Sequence, residues 1–196
     1  MADNSLQPRV ATFGHYITER PSPGRFHFKT CVTPEGRPRG GPENLGMYRE
    51  ITALEMIHRQ GPLPSVSQYH GCIIINGEIV GVCKDRIAHT LPSALESQLI
   101  PDINWFIQQV RHGIDAIHSF GFAHNAICGE NIMVTENGQP RITNFTSALP
   151  LGQYLPNFSQ VDSHGAHRIS RYATPSRDHC ALQALQDYLI EHQARR

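Results

Sequence analysis

The sequence predicts an α+β fold, a small β-rich part followed by a helical part. Three observations carry that expectation. Two Asn-Gly pairs, Asn76-Gly77 and Asn137-Gly138, each separate β-branched runs, and Asn-Gly tolerates the positive φ that tight hairpins need. A long amphipathic helix is written between them at 102–120. Helical spacing recurs near both ends, at 45–59 and 179–192.

In chain order, residues 1–24 read as irregular, and Pro and Gly are dense at 20–25 and 34–42. Between those runs, Phe26, Phe28 and Val32 suggest a short strand over 25–32. Met47, Ile51, Leu54 and Ile57 place a helix over 45–59, stopped by Gly61-Pro62. Strands at 68–75 and 78–83 form the first hairpin. The long helix puts Ile103, Phe106, Ile107, Val110, Ile114 and Ile117 on one face, and Gly121 closes it as a left-handed C-cap. The second hairpin pairs 131–135 with 139–143. Residues 147–176 read as loop, and a final helix at 179–192 carries Leu182, Leu185, Tyr188 and Leu189 on its apolar side.

Composition narrows the class. The chain has 196 residues, enough for one domain or two small lobes with a real core. Seventeen basic residues balance 17 acidic ones, so neither nucleic acid nor membrane is expected as a partner. Five widely spaced cysteines contain no C-x-x-C pair, which argues against a zinc site or a disulfide framework. The first residues lack a basic and apolar leader, and the longest apolar run, about 72–75, is too short to cross a bilayer. A cytoplasmic location is expected. Of the 12 histidines, His164 and His167 lie close together but lack an evident third ligand and read as loop residues. No metal and no cofactor is expected.

One segment carries more information. Phe122-Ala-His-Asn-Ala-Ile-Cys-Gly-Glu-Asn-Ile-Met-Val134 is entered from the long helix and left through a hairpin that delivers Asn144-Phe145-Thr146. This arrangement resembles the protein-kinase catalytic loop, H-R-D followed by four residues and Asn, with D-F-G behind it. His124, Asn125, Ala126 and Asn131 then take the His, Arg, Asp and Asn places, and Asn144 takes the place of the magnesium-binding Asp. Glu50 resembles the glutamate of the upper-lobe helix, and Lys29 is a candidate for the strand lysine that pairs with it. Asp178 resembles the aspartate opening a lower-lobe helix, and Tyr172-Ala-Thr-Pro175 faintly echoes A-P-E. The resemblance spans roughly 25–190. It implies a reduced bilobal protein-kinase-like fold: an N-lobe over 25–85 with one helix, and a truncated helical C-lobe over 86–196.

The departures shape the expected function. Ala126 offers no carboxylate to the attacking hydroxyl, a loss on the order of a hundred- to ten-thousandfold. Asn144 brings an oxygen but no charge to a hard cation. Cys128 stands where many kinases carry a lysine, and Gly14 and Gly24 are too far apart to make a phosphate-cradling loop before Lys29. Within these 196 residues, helices that would bind a protein substrate have no counterpart.

His124 is expected to pack and bond backbone, and Asn131 either caps a turn or meets metal. Lys29 and Glu50 form an ion pair or are two solvated charges. Arg168 and Arg171 read as solvated arginines rather than a phosphate receiver.

The resemblance therefore implies a catalytically inactive kinase-like protein, a binding or regulatory module with a protein or small-molecule partner. Lys29, Glu50, Asn131 and Asn144 would be its vestigial nucleotide site. The alternative is a lyase, isomerase or cyclase that reuses the interlobe cleft, with His124 or another histidine as acid–base. The compact form resembles short kinase-like proteins of filamentous fungi, which implies a possible place in secondary metabolism. Residual nucleotide binding without transfer is a third reading, against which the missing glycine loop counts.

Overall fold

The structure is a computed structural model that describes residues 16–17, 24–30, 42–155 and 170–194, with side chains in the first helix from 45 onward. Gly14, Cys31, Val32, His164, His167 and Arg168 lie outside the described residues. The chain divides into two compact units. Unit 1 takes residues 1–63, 67–86 and 145–147, and unit 2 takes 64–66, 87–144 and 148–196.

Among the described residues, unit 1 holds a four-stranded sheet and one helix. Strands β1 (Tyr16–Ile17), β2 (Phe26–Thr30), β3 (Tyr69–Ile75) and β4 (Glu78–Asp85) are ordered β1-β3-β4-β2. The β3–β4 hairpin turns through Asn76 and Gly77 at φ 53° and 79°, the pair of positive angles that Asn-Gly favours. β2 runs antiparallel to β4, with Lys29 opposite Val82 and Thr30 opposite Gly81. Gly81 permits that approach, because a Cβ there would lie 2.5 Å from the Lys29 carbonyl oxygen. β1, in the segment read as irregular, pairs parallel with Cys72 and Ile73 of β3.

Helix α1 (Pro42–Arg59) packs on β3, on β4 and on a 3-10 turn at Phe145–Ser147. It begins three residues earlier than its apolar spacing indicates. The four spaced residues Met47, Ile51, Leu54 and Ile57 are all buried, and Glu50 is buried among them.

Unit 2 is mainly helical. α2 (Leu91–Glu96) starts at Thr90, whose hydroxyl accepts from the Ser93 amide, with Pro92 in the first turn. α3 (Ile103–Ser119) is capped by Asp102, which accepts from the Trp105 amide at 2.9 Å. All six residues assigned to its apolar face are buried, each worth about 1.5–3 kcal/mol before chain entropy is counted. Gly121, at φ 85°, ends it.

After β6 (Phe122–Ala123), β7 (Ile132–Val134) and β8 (Pro140–Ile142) form the second hairpin, flanked by β5 (His89–Thr90). Its turn is longer than two residues. The Gly138 amide donates to Thr135 O at 2.9 Å, and only Gly138, at φ 74°, is left-handed there. The region read as loop contains β9 (Leu149–Pro150), which pairs with β6.

α4 (Pro175–Ala194) starts four residues earlier than read, and Asp178, Leu182, Leu185 and Leu189 are its buried side chains. Tyr188, assigned to the apolar face, is instead 52% exposed. α3 packs against α4, β6 and β8. The elements and their order are those of a reduced α+β kinase-like fold.

Candidate functional site

The residues singled out from the sequence fall in both units. In unit 1, Glu50 is fully buried on α1, one turn before Leu54. Its Oε2 accepts from Lys29 Nζ at 2.8 Å, and its Oε1 accepts from Lys84 Nζ at 2.5 Å. Lys29 therefore meets Glu50, but it shares the carboxylate with a second lysine that sequence reasoning missed. Lys84 is the more enclosed of the two, its side chain 4% exposed against 33% for Lys29.

One carboxylate thus meets two ammonium groups, and the titrations respond. Burial pushes the Glu50 carboxyl up, but Lys84, then Lys29, and their hydrogen bonds outweigh it and hold the group below the usual carboxylate range. Burial pulls Lys84 below the usual lysine range, and its half share of Glu50 does not offset that. Burial, and next the Lys84 charge, also lower His27. Nearby, Glu55 is buried and accepts from the Tyr69 hydroxyl at 2.9 Å. Burial first, then Cys72 and Glu55, raise that phenol far above its ordinary value.

In unit 2 the loop after β6 hangs on Asp178. This carboxylate is 1% exposed and accepts from the backbone amides of His124 (2.8 Å) and Asn125 (2.8 Å) and from His118 Nε2 (2.9 Å). Asn125 takes φ 61°, a left-handed angle that Asn tolerates better than most residues.

His124 is fully buried between backbone groups. Its Nδ1 accepts from the Ala126 amide at 3.3 Å, and its Nε2 donates to Thr143 O at 3.0 Å. That pattern sets a neutral imidazole protonated on Nε2. With both nitrogens hydrogen-bonded to backbone, His124 orients the loop.

The Asn131 and Asn144 side chains meet. Asn144 Nδ2 donates to Asn131 Oδ1 at 2.9 Å, and Asn131 Nδ2 donates to Ala126 O at 2.7 Å. Asn144 is also left-handed, at φ 63°. A kinase-like fold implies magnesium at these two places. Magnesium demands compact octahedral oxygen coordination and is held through carboxylates. Here the donor set is two neutral amides, and the Asn131 oxygen already accepts from Asn144, so the residues present do not fit the ion.

Cys128 has a different neighbourhood. It lines a cavity of ≈ 470 Å³ with Leu91, Ile127, Glu130, Leu185 and Tyr188. Tyr188 is thus a wall of that cavity while its surface stays largely exposed, which explains its departure from the apolar face. Arg171 is exposed. The Tyr172 ring sits edge-on to Tyr154 at 5.9 Å.

No family model matches the chain. It is similar to a probable serine/threonine-protein kinase RTK1 of Saccharomyces cerevisiae, 32% identical over 74 residues, which covers 38% of this chain and 12% of that protein. It is also similar to a mitogen-activated protein kinase HOG1 of Ustilaginoidea virens, 28% identical over 108 residues, covering 50% of this chain and 28% of that protein. The chain thus spans well under a third of the length of either relative. Both similarities support a kinase-like relationship.

Proposed function

We propose that this is a kinase-like protein that does not transfer phosphoryl groups and serves as a binding or regulatory module. The observation that carries the reading is the amide network at Ala126, Asn131 and Asn144. Phosphoryl transfer needs a carboxylate to orient the attacking hydroxyl and a metal to neutralise charge on the transferred group. Here a methyl group stands in the first place, and the amide of the second is bonded to its neighbour. The supports around that network are kept: Asp178 grips the loop backbone, and Glu50 ties α1 to β2 and β4. A scaffold maintained around vacant chemistry favours recognition over catalysis.

The test is phosphoryl transfer from labelled ATP, with magnesium or manganese, to the protein itself and to a generic acceptor. The expected result is incorporation equal to that of the Lys29→Met variant. Incorporation that the wild type shows and Lys29→Met loses would overturn the reading.

A second reading has one specific observation behind it, the cavity beside Cys128 and Tyr188. Its ≈ 470 Å³ lies within the range of small-molecule sites. A small apolar ligand is the partner it suits, and alkylation of Cys128 that such a ligand blocks would be the sign of it.

A further inference from the structure

α3 and α4 bring together Asp115, His118, whose Nε2 already bonds Asp178, and His179. Asp115 and His118 stand three residues apart on α3 and share a face. His179 comes from the first turns of α4, next to Asp178. Its Nε2 bonds Asp115 Oδ1 at 2.8 Å, and its ring meets the His118 ring edge-on with centroids 5.2 Å apart. One ligand atom from each of the three lies within 4.8 Å of the others.

We infer that Asp115, His118 and His179 form a binding site for a divalent transition metal, with zinc the first choice. Two imidazoles and one carboxylate are a borderline donor set that suits zinc, copper, nickel or cobalt and disfavours magnesium and calcium. Three protein ligands leave a fourth position open to water, as in non-structural zinc sites. A tetrahedral zinc with bonds of about 2.0–2.1 Å spaces its ligand atoms roughly 3.4 Å apart. From a spread of at most 4.8 Å the three ligand atoms would have to draw together to reach it, with the ion taking the place of the direct His179–Asp115 bond.

A second, independent feature points the same way. His118 Nε2 is held by the buried Asp178 carboxylate, which leaves Nδ1 as its nitrogen for a metal. A carboxylate behind a ligating histidine fixes the orientation of its ring. The site has an entry path as well as a wall. Asp115 and His179 are 52% and 37% exposed, while His118 is 8% exposed. Because Asp178 also holds the amides of His124 and Asn125, an ion here would be one carboxylate away from the loop described above.

The test titrates zinc into the full chain by calorimetry, with cobalt absorption as a spectroscopic reporter of tetrahedral coordination. Asp115→Asn and His179→Asn remove ligands at exposed positions, and His112→Asn, on an exposed face of the same helix, is the control. The expected result is one equivalent of zinc and a rise in melting midpoint. Affinity should fall at least tenfold in each ligand variant and stay unchanged in the control. Melting midpoints without metal should stay close to wild type, which separates ligand loss from misfolding. No binding by the wild type, or equal binding by both ligand variants, would overturn the site.

Discussion

Replacing Glu50 with Gln keeps shape and removes charge at the centre of unit 1. The carboxylate is wholly buried and bonds both Lys29 and Lys84. Removing one partner of a buried ion pair costs about 3–5 kcal/mol, because the other charge stays buried. Lys84 is the group that suffers, since Lys29 reaches solvent. An upper bound follows from titration: Lys84 always has the option of discharging, and discharging an ordinary lysine at pH 7 costs roughly 4.6 kcal/mol. The expected loss is therefore about 3–4.5 kcal/mol in urea denaturation at pH 7.

Lys84→Met leaves Glu50 paired with Lys29 and should cost about 1 kcal/mol or less, as apolar replacement of buried ions often does. In the double variant the two losses should fall short of additivity by at least about 1.5 kcal/mol. A Glu50→Gln loss below about 1 kcal/mol, or additive losses in the cycle, would refute the buried-trio reasoning.

Other outcomes follow from neighbouring features. Because the folded Glu50 carboxyl is held low, its stabilisation is complete above the unfolded value near 4.3 and is lost as pH falls through the folded one. The gap between wild type and Glu50→Gln should accordingly shrink in urea titrations as pH drops below about 4. Asp178→Asn turns one oxygen of a buried carboxylate that accepts three hydrogen bonds into a donor and should cost roughly 3 kcal/mol. A loss under 1 kcal/mol by chemical denaturation would contradict its anchoring role. Gly81→Ala drives a methyl against the Lys29 carbonyl and should cost about 1–3 kcal/mol, with faster amide exchange along β2; unchanged exchange there would count against the close approach. Of the four described thiols, native alkylation followed by peptide mass spectrometry should find Cys128 and Cys180 labelled and Cys72 and Cys83 protected. The Cys72 thiol is pushed up to about 11, chiefly by burial and then by Glu55.

What was legible in the sequence is what local pattern controls. The α3 face is a run of large apolar residues at helical spacing, so all six positions could be read directly. Asn76-Gly77 announced its hairpin because few other pairs accept two positive φ angles. Elements defined by their partners were silent. β1 is two residues whose strand character comes only from pairing with β3, and α2 is six residues with a Thr cap and an early Pro.

Glu50 was visible as a candidate, whereas Lys84 was not. β4 is buried along nearly its whole length, so it has no two-residue alternation to show which side chains face α1. Tyr188 has helical spacing with Leu185 and Leu189, but the cavity beside it is a tertiary feature. The Asp115–His118 spacing could have been noticed as a half-site, but His179 joins it only through the packing of α3 on α4.

The amide pair of Asn131 and Asn144 is most directly tested by thermal shift with ATP and magnesium against ATP with EDTA. A ligand present at a hundred times its dissociation constant adds about 2.7 kcal/mol, or roughly 5–10 °C in a chain of this size. The expected result is the same midpoint in both conditions, since neutral amides bonded to one another do not hold the ion. A magnesium-dependent rise of several degrees that Asn144→Ala abolishes would contradict the proposed loss of phosphoryl-transfer chemistry.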